Sequence, residues 1–110
     1  MKEIVIERLA IEAIEALRPL VEKIERRDRD LAGQIKRAAS SVGLNSSEGA
    51  WGRKGHRDER LSTALCSARE AKHALRVAVA WSYLTAVEIA SAYDRLDHVA
   101  ALLFRKLNPR

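Results

Sequence analysis

The chain has 110 residues, a formal net charge of +5 and a single cysteine, Cys66. This length suits one domain, residues 1–110, that buries roughly two-thirds of the surface its unfolded form exposes. An intrachain disulfide is excluded, and no apolar run approaches the roughly 20 residues that a membrane-spanning helix needs. Acidic residues interrupt the first seven positions too early for a signal peptide, so we expect a cytoplasmic protein with no membrane contact.

The composition predicts an all-α fold of four helices, because alanine and leucine are abundant and the β-branched and aromatic enrichment of strands is missing. The first helix is predicted from about Lys2 to Arg26. We expect it to bury two contacts, one in its own bundle and one against a neighbouring subunit; a central helix in a monomer is the alternative. Pro19 lies on the polar side, where it should bend the helix without ending it. The apolar arc spans roughly 160° rather than the roughly 100° of a surface helix and contains Ile6, Leu9, Ala10, Ala13, Ile14, Ala16, Leu17, Leu20, Val21 and Ile24.

The second helix is predicted to begin near Asp28 or Asp30, because either carboxylate can accept hydrogen bonds from the free amides of a first turn. Its apolar face continues into the polar residues Asn45 and Ser46. Three glycines then end the pattern, so residues 50–57 are predicted to form a basic connection. These glycines are Gly49, Gly52 and Gly55.

Two further helices complete the predicted bundle. The third is predicted from about Asp58 to Trp81, with an alanine-rich apolar stripe that implies close approach of another helix. Thr85 and Glu88 have the spacing of a capping box, so the fourth helix is predicted to begin there and to stop at Asn108-Pro109. Because the connections are short, we expect an antiparallel, up-down-up-down four-helix bundle.

The chain contains residue types that catalysis or metal binding could use, but their positions favour neither function. Glu70 and His73 have the Glu-x-x-His spacing of di-metal bundle sites, but they fall on the polar side of the third helix. We therefore expect solvated side chains and no metal or other cofactor. Cys66 lies in an apolar helical segment with no histidine four residues away, so a buried structural thiol is predicted rather than a nucleophile. Together with the lack of a nucleotide-binding glycine pattern, this predicts a protein that is not an enzyme.

Basic residues are concentrated in the middle of the chain. Residues 26–76 carry twelve Lys and Arg against six Asp and Glu, whereas residues 1–25 carry four against six. Such a concentration favours a polyanionic partner. The i, i+3, i+4 and i+7 spacing of Arg69, Lys72, His73 and Arg76 places them on one ridge of the third helix. No acid stands three or four residues from Lys72 or Arg76, so nothing on this helix neutralises them.

The ridge could follow successive phosphates of a nucleic acid, with Trp51 stacking on a base. The basic residues that precede it would extend the track; they are Arg53, Lys54, Arg57 and Arg60. The alternative is a solvated basic face whose long side chains cover alanines, with Trp51 plugging the end of the bundle. Repetition around a ring-forming oligomer would make the basic surface continuous, which favours phosphate binding.

A polar cluster is predicted along one edge of the second helix, formed by Ser41, Asn45 and Glu48. Asn45 turns toward the core, where an amide without partners would be costly. We expect a hydrogen-bonded cluster that fixes helix register and holds the following loop; a catalytic role is the alternative.

These residues also carry a family resemblance. The segment Ser41-Val42-Gly43-Leu44-Asn45-Ser46-Ser47-Glu48-Gly49, followed by Trp51-Gly52-Arg53, resembles the Ser-Ile-x-x-Asn-Ile-Ala-Glu-Gly-x-x-x-Arg signature of the bacterial four helix bundle proteins. Residues 34–39 and 64–70 are similar to two further motifs of that family. It includes proteins encoded in intervening sequences of large-subunit ribosomal RNA genes and the accessory variability determinants of diversity-generating retroelements. The sequence departs from the pattern at Ser46-Ser47, where Ile-Ala is usual, and at Cys66, where Gly is usual.

The resemblance implies a four-helix protomer that forms a homopentameric barrel with a basic surface. Members associated with retroelements bind nucleic acid and a reverse transcriptase. Carried onto this chain, the resemblance makes Asn45, Glu48 and Gly49 structural, and Arg37 and Arg53 candidate nucleic-acid contacts.

Three functional hypotheses remain at this point. The leading one is a non-catalytic, homo-oligomeric accessory protein that binds RNA or DNA through its basic surface. The second is a scaffold that docks an acidic partner protein without touching nucleic acid. The third, a bundle enzyme or metal carrier, predicts bound metal, which we do not expect.

Overall fold

A computed structural model describes the backbone of residues 2–48 and 54–109 and the side chains of residues 5–46 and 56–109. Four α-helices occupy these ranges and no strand is found in them, which confirms the all-α class. The helices are α1 (Lys2–Glu25), α2 (Arg29–Glu48), α3 (Lys54–Ala80) and α4 (Ala86–Leu107). Helices α1 and α3 each pack against both α2 and α4, so the four helices surround a shared core. None of the described helices has the length and apolar character needed to cross a membrane.

The signals that begin α2 and α4 are confirmed. Of the two aspartates predicted to cap α2, Asp28 does so, because its Oδ1 accepts a hydrogen bond of 2.9 Å from the Leu31 amide. At α4, the Glu88 amide donates to Thr85 Oγ1 and the Thr85 amide donates to Glu88 Oε1. This reciprocal pair is the capping box that the sequence predicts.

The beginning of α3 differs from the prediction. The helix starts at Lys54 rather than near Asp58, so residues 54–57 of the predicted basic connection are helical. A glycine inside a helix costs about 1 kcal/mol relative to alanine, and Gly55 suggested a break for that reason. Packing outweighs a cost of this size, because the following turns bury Leu61 and Ala64 completely.

The core consists of two clusters of buried apolar side chains. The larger cluster is built around Leu17, Ile24, Ile35, Leu75 and Leu96. The smaller one is built around Val42, Leu61, Val99 and Leu103. The wide apolar arc of α1 divides into a buried centre, such as Ala10 and Leu17, and half-buried flanks; the flanking residues are Leu9, Ile14, Ala16 and Leu20. Pro19 is exposed within α1, which continues past it as predicted.

The turn after α3 is fixed by backbone hydrogen bonds. The Tyr83 amide donates to the Ala78 carbonyl and the Ser82 amide donates to the Val79 carbonyl, both at 2.9 Å. This pairing is a Schellman motif, whose left-handed position is usually glycine. Here Ser82 occupies it with a φ of 64°. The turn leaves Trp81 64% exposed and stacked against Tyr83.

Candidate nucleic-acid interface

The basic ridge predicted on α3 is present on the surface of the bundle. Arg69, His73 and Arg76 are exposed, while the interleaved Ala71 and Leu75 are completely buried. The ridge therefore points away from the core because the alanine-rich stripe faces inward. In the part of the chain that the structure describes, neither Arg69 nor Arg76 forms an ion pair.

Lys72 has an acidic partner that the sequence analysis did not predict. Its Nζ lies 2.6 Å from Asp97 Oδ1 on α4, and the Lys72 side chain is only 19% exposed. The same ammonium lies 5.3 Å from the centre of the Tyr93 ring. The absence of acids three or four residues away on α3 holds, and the neutralising acid comes from α4 instead. Asp97 and Tyr93 hold the ammonium in a fixed position between α3 and α4.

Arg69 lies beside an aromatic ring of α4. Its guanidinium carbon is 6.0 Å from the centre of the Phe104 ring, a distance at which a cation is attracted to the ring. Phe104 is 49% exposed. A shallow groove at this point has a floor of alanine side chains; its lining is Arg69, Lys72, Asp97, Ala100, Ala101, Phe104 and Arg105.

The other end of the ridge borders a second groove between the same two helices. Arg76 lines it together with Tyr93 and Asp94, and its floor contains Val79, Ala80, Ala86, Ile89 and Ala90. We use the name α3–α4 face for the surface that joins both grooves, made of Arg69, Lys72, Arg76, Tyr93, Asp94, Asp97, Phe104 and Arg105. Its four cations outnumber its two acids.

The α4 half of this face was missed from the sequence, although a signal for it was present. Tyr93, Asp97, Ala101 and Phe104 stand at i, i+4, i+8 and i+11, which places them on one ridge of a helix. This is the same kind of spacing that revealed the ridge of α3. Tyr93 is half-buried at the edge of the larger core cluster.

Two of the residues predicted to lead into the ridge from its N-terminal side, Arg57 and Arg60, do not lie on it. Arg60 Nη1 donates to Asn45 Oδ1 of α2 over 3.4 Å. Arg57 lines a groove at the end of the bundle with Leu102, Arg105 and Lys106, and its Nε is buried with no hydrogen-bond partner among the described residues. Trp51 and Arg53 lie outside the described residues, as does the side chain of Lys54.

Arg37 lies on α2, apart from the α3–α4 face. Its guanidinium folds back over Gly33, where an added Cβ would stand 3.1 Å from Nη1. Arg37 also lines a shallow groove on the outer side of α2 with Lys36, Ser40 and the exposed Leu44. The structure therefore separates this candidate nucleic-acid contact from the ridge of α3 with Arg69, Lys72 and Arg76.

The predicted polar cluster is partly visible, and it has an additional member. Asn45 Nδ2 donates to the Ser41 carbonyl at 2.9 Å and to Ser41 Oγ at 3.1 Å. Ser67 Oγ of α3 donates to Ser41 Oγ at 2.8 Å, so the cluster ties α2 to α3. Ser46, where the family pattern has Ile, is buried and its Oγ has no partner among the described residues. The Glu48 side chain lies outside the described residues.

Three residues considered for nucleophilic catalysis or metal binding are exposed, namely Cys66, Glu70 and His73. Cys66 is exposed, so the prediction of a buried thiol is wrong. Its position between Ala64 and Ala68 places it on the side of α3 opposite to the buried stripe. Glu70 and His73 are exposed, as expected for solvated side chains. Among the described residues, no three His, Cys, Asp or Glu side chains are arranged to hold a metal ion.

Fold and surface together define a small all-α protein of four helices with a basic face that contains aromatic side chains. The chain belongs to the 23S rRNA-intervening sequence protein family, whose profile matches residues 2–105. The family resemblance noted in the sequence is thereby confirmed.

The fold is also similar to that of a solved structure. This is the crystal structure of a protein with unknown function from the S23 ribosomal protein family of Bacteroides thetaiotaomicron. The two share a TM-score of 0.84 and 20% sequence identity over 94% of this chain and 98% of that chain. At this identity the likeness shows the fold alone. Among curated proteins, no relative matches the sequence.

Proposed function

We propose that this protein is a non-catalytic, homo-oligomeric accessory protein of the cytoplasm that binds nucleic acid through its α3–α4 face. The observation that carries the proposal is the pair of exposed arginines, Arg69 and Arg76, without acidic partners in the described chain, on either side of the fixed ammonium of Lys72. Arginine stays charged and presents a planar fork of donors that matches a phosphate. Successive cations along one helix suit successive phosphates of a strand.

The family supports RNA as the nucleic acid to test first, because it is named for an intervening sequence in 23S ribosomal RNA. The two acids of the face, Asp94 and Asp97, lower its net charge but leave it positive. We therefore expect binding of moderate strength that depends on salt.

Fluorescence anisotropy with short labelled RNA and DNA, measured over a series of salt concentrations, tests the proposal. Each phosphate contact contributes roughly 0.9 to the slope of log affinity against log salt for duplex DNA and roughly 0.7 for single strands. The double variant Arg69→Gln, Arg76→Gln should therefore flatten the slope by about 1.4–1.8.

The matched control is the double variant Arg8→Gln, Arg18→Gln, which replaces two exposed arginines of α1. Its net charge equals that of the Arg69→Gln, Arg76→Gln variant. This control should keep the slope of the wild-type protein. Equal slopes for both double variants, or binding that does not depend on salt, would contradict the proposed face.

A second candidate is docking of an acidic partner protein. The outer groove of α2 favours it, because Leu44 is 64% exposed there beside Lys36 and Arg37, and an apolar side chain ringed by cations suits a protein contact more than a phosphate. Pull-down after nuclease treatment separates the two candidates: a partner held through protein contacts survives the digestion, and one held through nucleic acid is lost.

We further propose that the bundle is antiparallel and that protomers form a pentameric barrel. Two ion pairs support an antiparallel order of α1 and α4. Lys23, near the end of α1, pairs with Glu88, near the start of α4, whereas Glu12, earlier in α1, pairs with Arg95, later in α4. The barrel is supported by the resemblance and by the partly exposed Val5 and Ile11 of α1. Light scattering should give about five times the 12.3 kDa of the protomer; a particle of protomer mass at micromolar concentration would contradict the barrel.

A further inference from the structure

Phe104 is an exposed aromatic residue whose surroundings suit a flat ligand. Large apolar side chains are normally buried, yet Phe104 is 49% exposed. The groove beside it is floored by Ala100 and Ala101, whose small side chains leave the ring surface accessible. An exposed ring beside a shallow groove offers stacking area without an enclosed cavity.

Three cations and one acid share the groove beside this ring. The Arg69 guanidinium lies 6.0 Å from the ring centre and Arg105 lines the same groove. Lys72 stands one helical turn from Arg69 and is held by Asp97. A nucleotide matches both features, because its base can stack on the aromatic ring and its phosphate can pair with the cations, whereas the aliphatic Leu44 beside Lys36 and Arg37 offers no ring for a base. The aromatic ring and the cations near it therefore favour a nucleotide, with its base on Phe104, as the ligand of this groove.

We propose that Phe104 stacks on an unpaired nucleobase, with Arg69 and Arg105 on the flanking phosphates, so that the protein prefers single strands to duplexes. In a duplex the bases are already paired and stacked inside the helix, and their faces are not open to a side chain. The inference rests on the proposed function, because it assigns a type of nucleic acid to the same α3–α4 face.

The test compares one labelled RNA strand with its own duplex by anisotropy at a fixed salt concentration. Base–aromatic stacking contributes an affinity factor of about five- to 150-fold per base. Phe104→Ala should lower the affinity for the single strand by a factor in that range and leave the affinity for the duplex within about twofold. Phe104→Tyr keeps the ring and should keep the single-strand affinity.

A second probe removes the base instead of the ring. A single strand with abasic sites should bind the wild-type protein as weakly as the intact strand binds Phe104→Ala, and the two losses should not add. Val87→Ala is the control, because Val87 is an exposed apolar residue that lines neither groove of the α3–α4 face. This variant should bind both probes as the wild-type protein does.

The outcomes separate this inference from the function on which it rests. Absence of any salt-dependent binding by the wild-type protein would overturn both. Binding that Phe104→Ala leaves unchanged, or weakens equally for single strand and duplex, would overturn the stacking role and leave the basic face in place. A change in particle mass on light scattering of Phe104→Ala would show that the ring contacts a second copy of the chain, which also overturns it.

Discussion

The Lys72–Asp97 pair gives a prediction in which a single substitution should strengthen binding. Asp97 lies in the middle of the proposed interface and is 62% exposed, with its Oδ1 2.6 Å from Lys72 Nζ. A phosphate bound to the same ammonium would lie about 5 Å from the carboxylate. Asp97→Asn removes this repulsion and keeps the shape of the side chain. The variant should therefore bind nucleic acid more tightly than the wild-type protein.

The size of the effect follows from Coulomb's law. Two unit charges about 5 Å apart interact with about 0.8 kcal/mol in bulk water and about 3 kcal/mol at an effective dielectric constant of 20. The exposure of Asp97 favours the lower value. We expect an affinity gain of about fourfold at low salt. The slope of log affinity against log salt should steepen by roughly 0.7–0.9, because Lys72 then contacts a phosphate fully.

The assay is anisotropy over a salt series, with Glu12→Gln as control. Glu12 pairs with Arg95 over 3.2 Å between α1 and α4, so this variant also frees one cation and changes the net charge equally. It lies away from the α3–α4 face and should leave the slope unchanged. Loss of an exposed ion pair costs roughly 0–1 kcal/mol of stability, so both variants should fold. Unchanged or weaker binding by Asp97→Asn would refute the assignment of the interface.

Three predictions concern stability, each measured by urea unfolding. Ser82→Gly should raise the free energy of unfolding by about 0.5–1 kcal/mol, because glycine adopts a positive φ without strain; a loss would contradict this. Ser67→Ala should cost about 1 kcal/mol by breaking a hydrogen bond between α2 and α3, whereas Ser46→Ala, which removes a buried hydroxyl without a partner, should cost nothing or stabilise; the reverse order would refute the polar cluster. Lys23 holds the pKa of Glu88 below its usual value, so this stabilisation is present above the unfolded pKa of about 4.3 and is lost as pH falls. Glu88→Gln should therefore reduce the loss of stability in acid, and an unchanged pH dependence would contradict the pair.

Features that lie within one helix could be predicted from the sequence. The capping box of Thr85 and Glu88, the cap at Asp28 and the ridge of α3 each depend on residues no more than seven positions apart, and helix geometry fixes their relative positions. The exposure of Cys66 belongs to the same class. The error there came from composition, because the segment is apolar overall while its periodicity places Cys66 opposite to the buried alanines.

Features that join two helices could not be predicted in the same way. Periodicity shows which side of α4 faces inward, but it does not give the axial position of α4 relative to α3. The pairing of Lys72 with Asp97 and of Arg69 with Phe104 depends on that position. The turn at Ser82 could not be predicted for a different reason. A glycine usually marks the left-handed position of such a turn, and here a serine occupies it, so only the hydrogen bonds of the folded turn reveal the Schellman motif.

Asp97, at the centre of the α3–α4 face, also helps to distinguish the two explanations of the basic ridge: a solvated surface and a phosphate-binding surface. If the face were only a solvated surface, there would be no reason for Asp97 to neutralise Lys72 while Arg69 and Arg76 have no acidic partner among the described residues. In a phosphate-binding face Asp97 and Tyr93 position the Lys72 ammonium before any strand arrives, although the Asp97 carboxylate still repels the phosphate. A fixed cation loses less freedom on binding than a mobile one. Asp97 therefore has two effects: it weakens the binding of each strand, and it positions the Lys72 ammonium that contacts the strand. This combination suits a contact that must form and release.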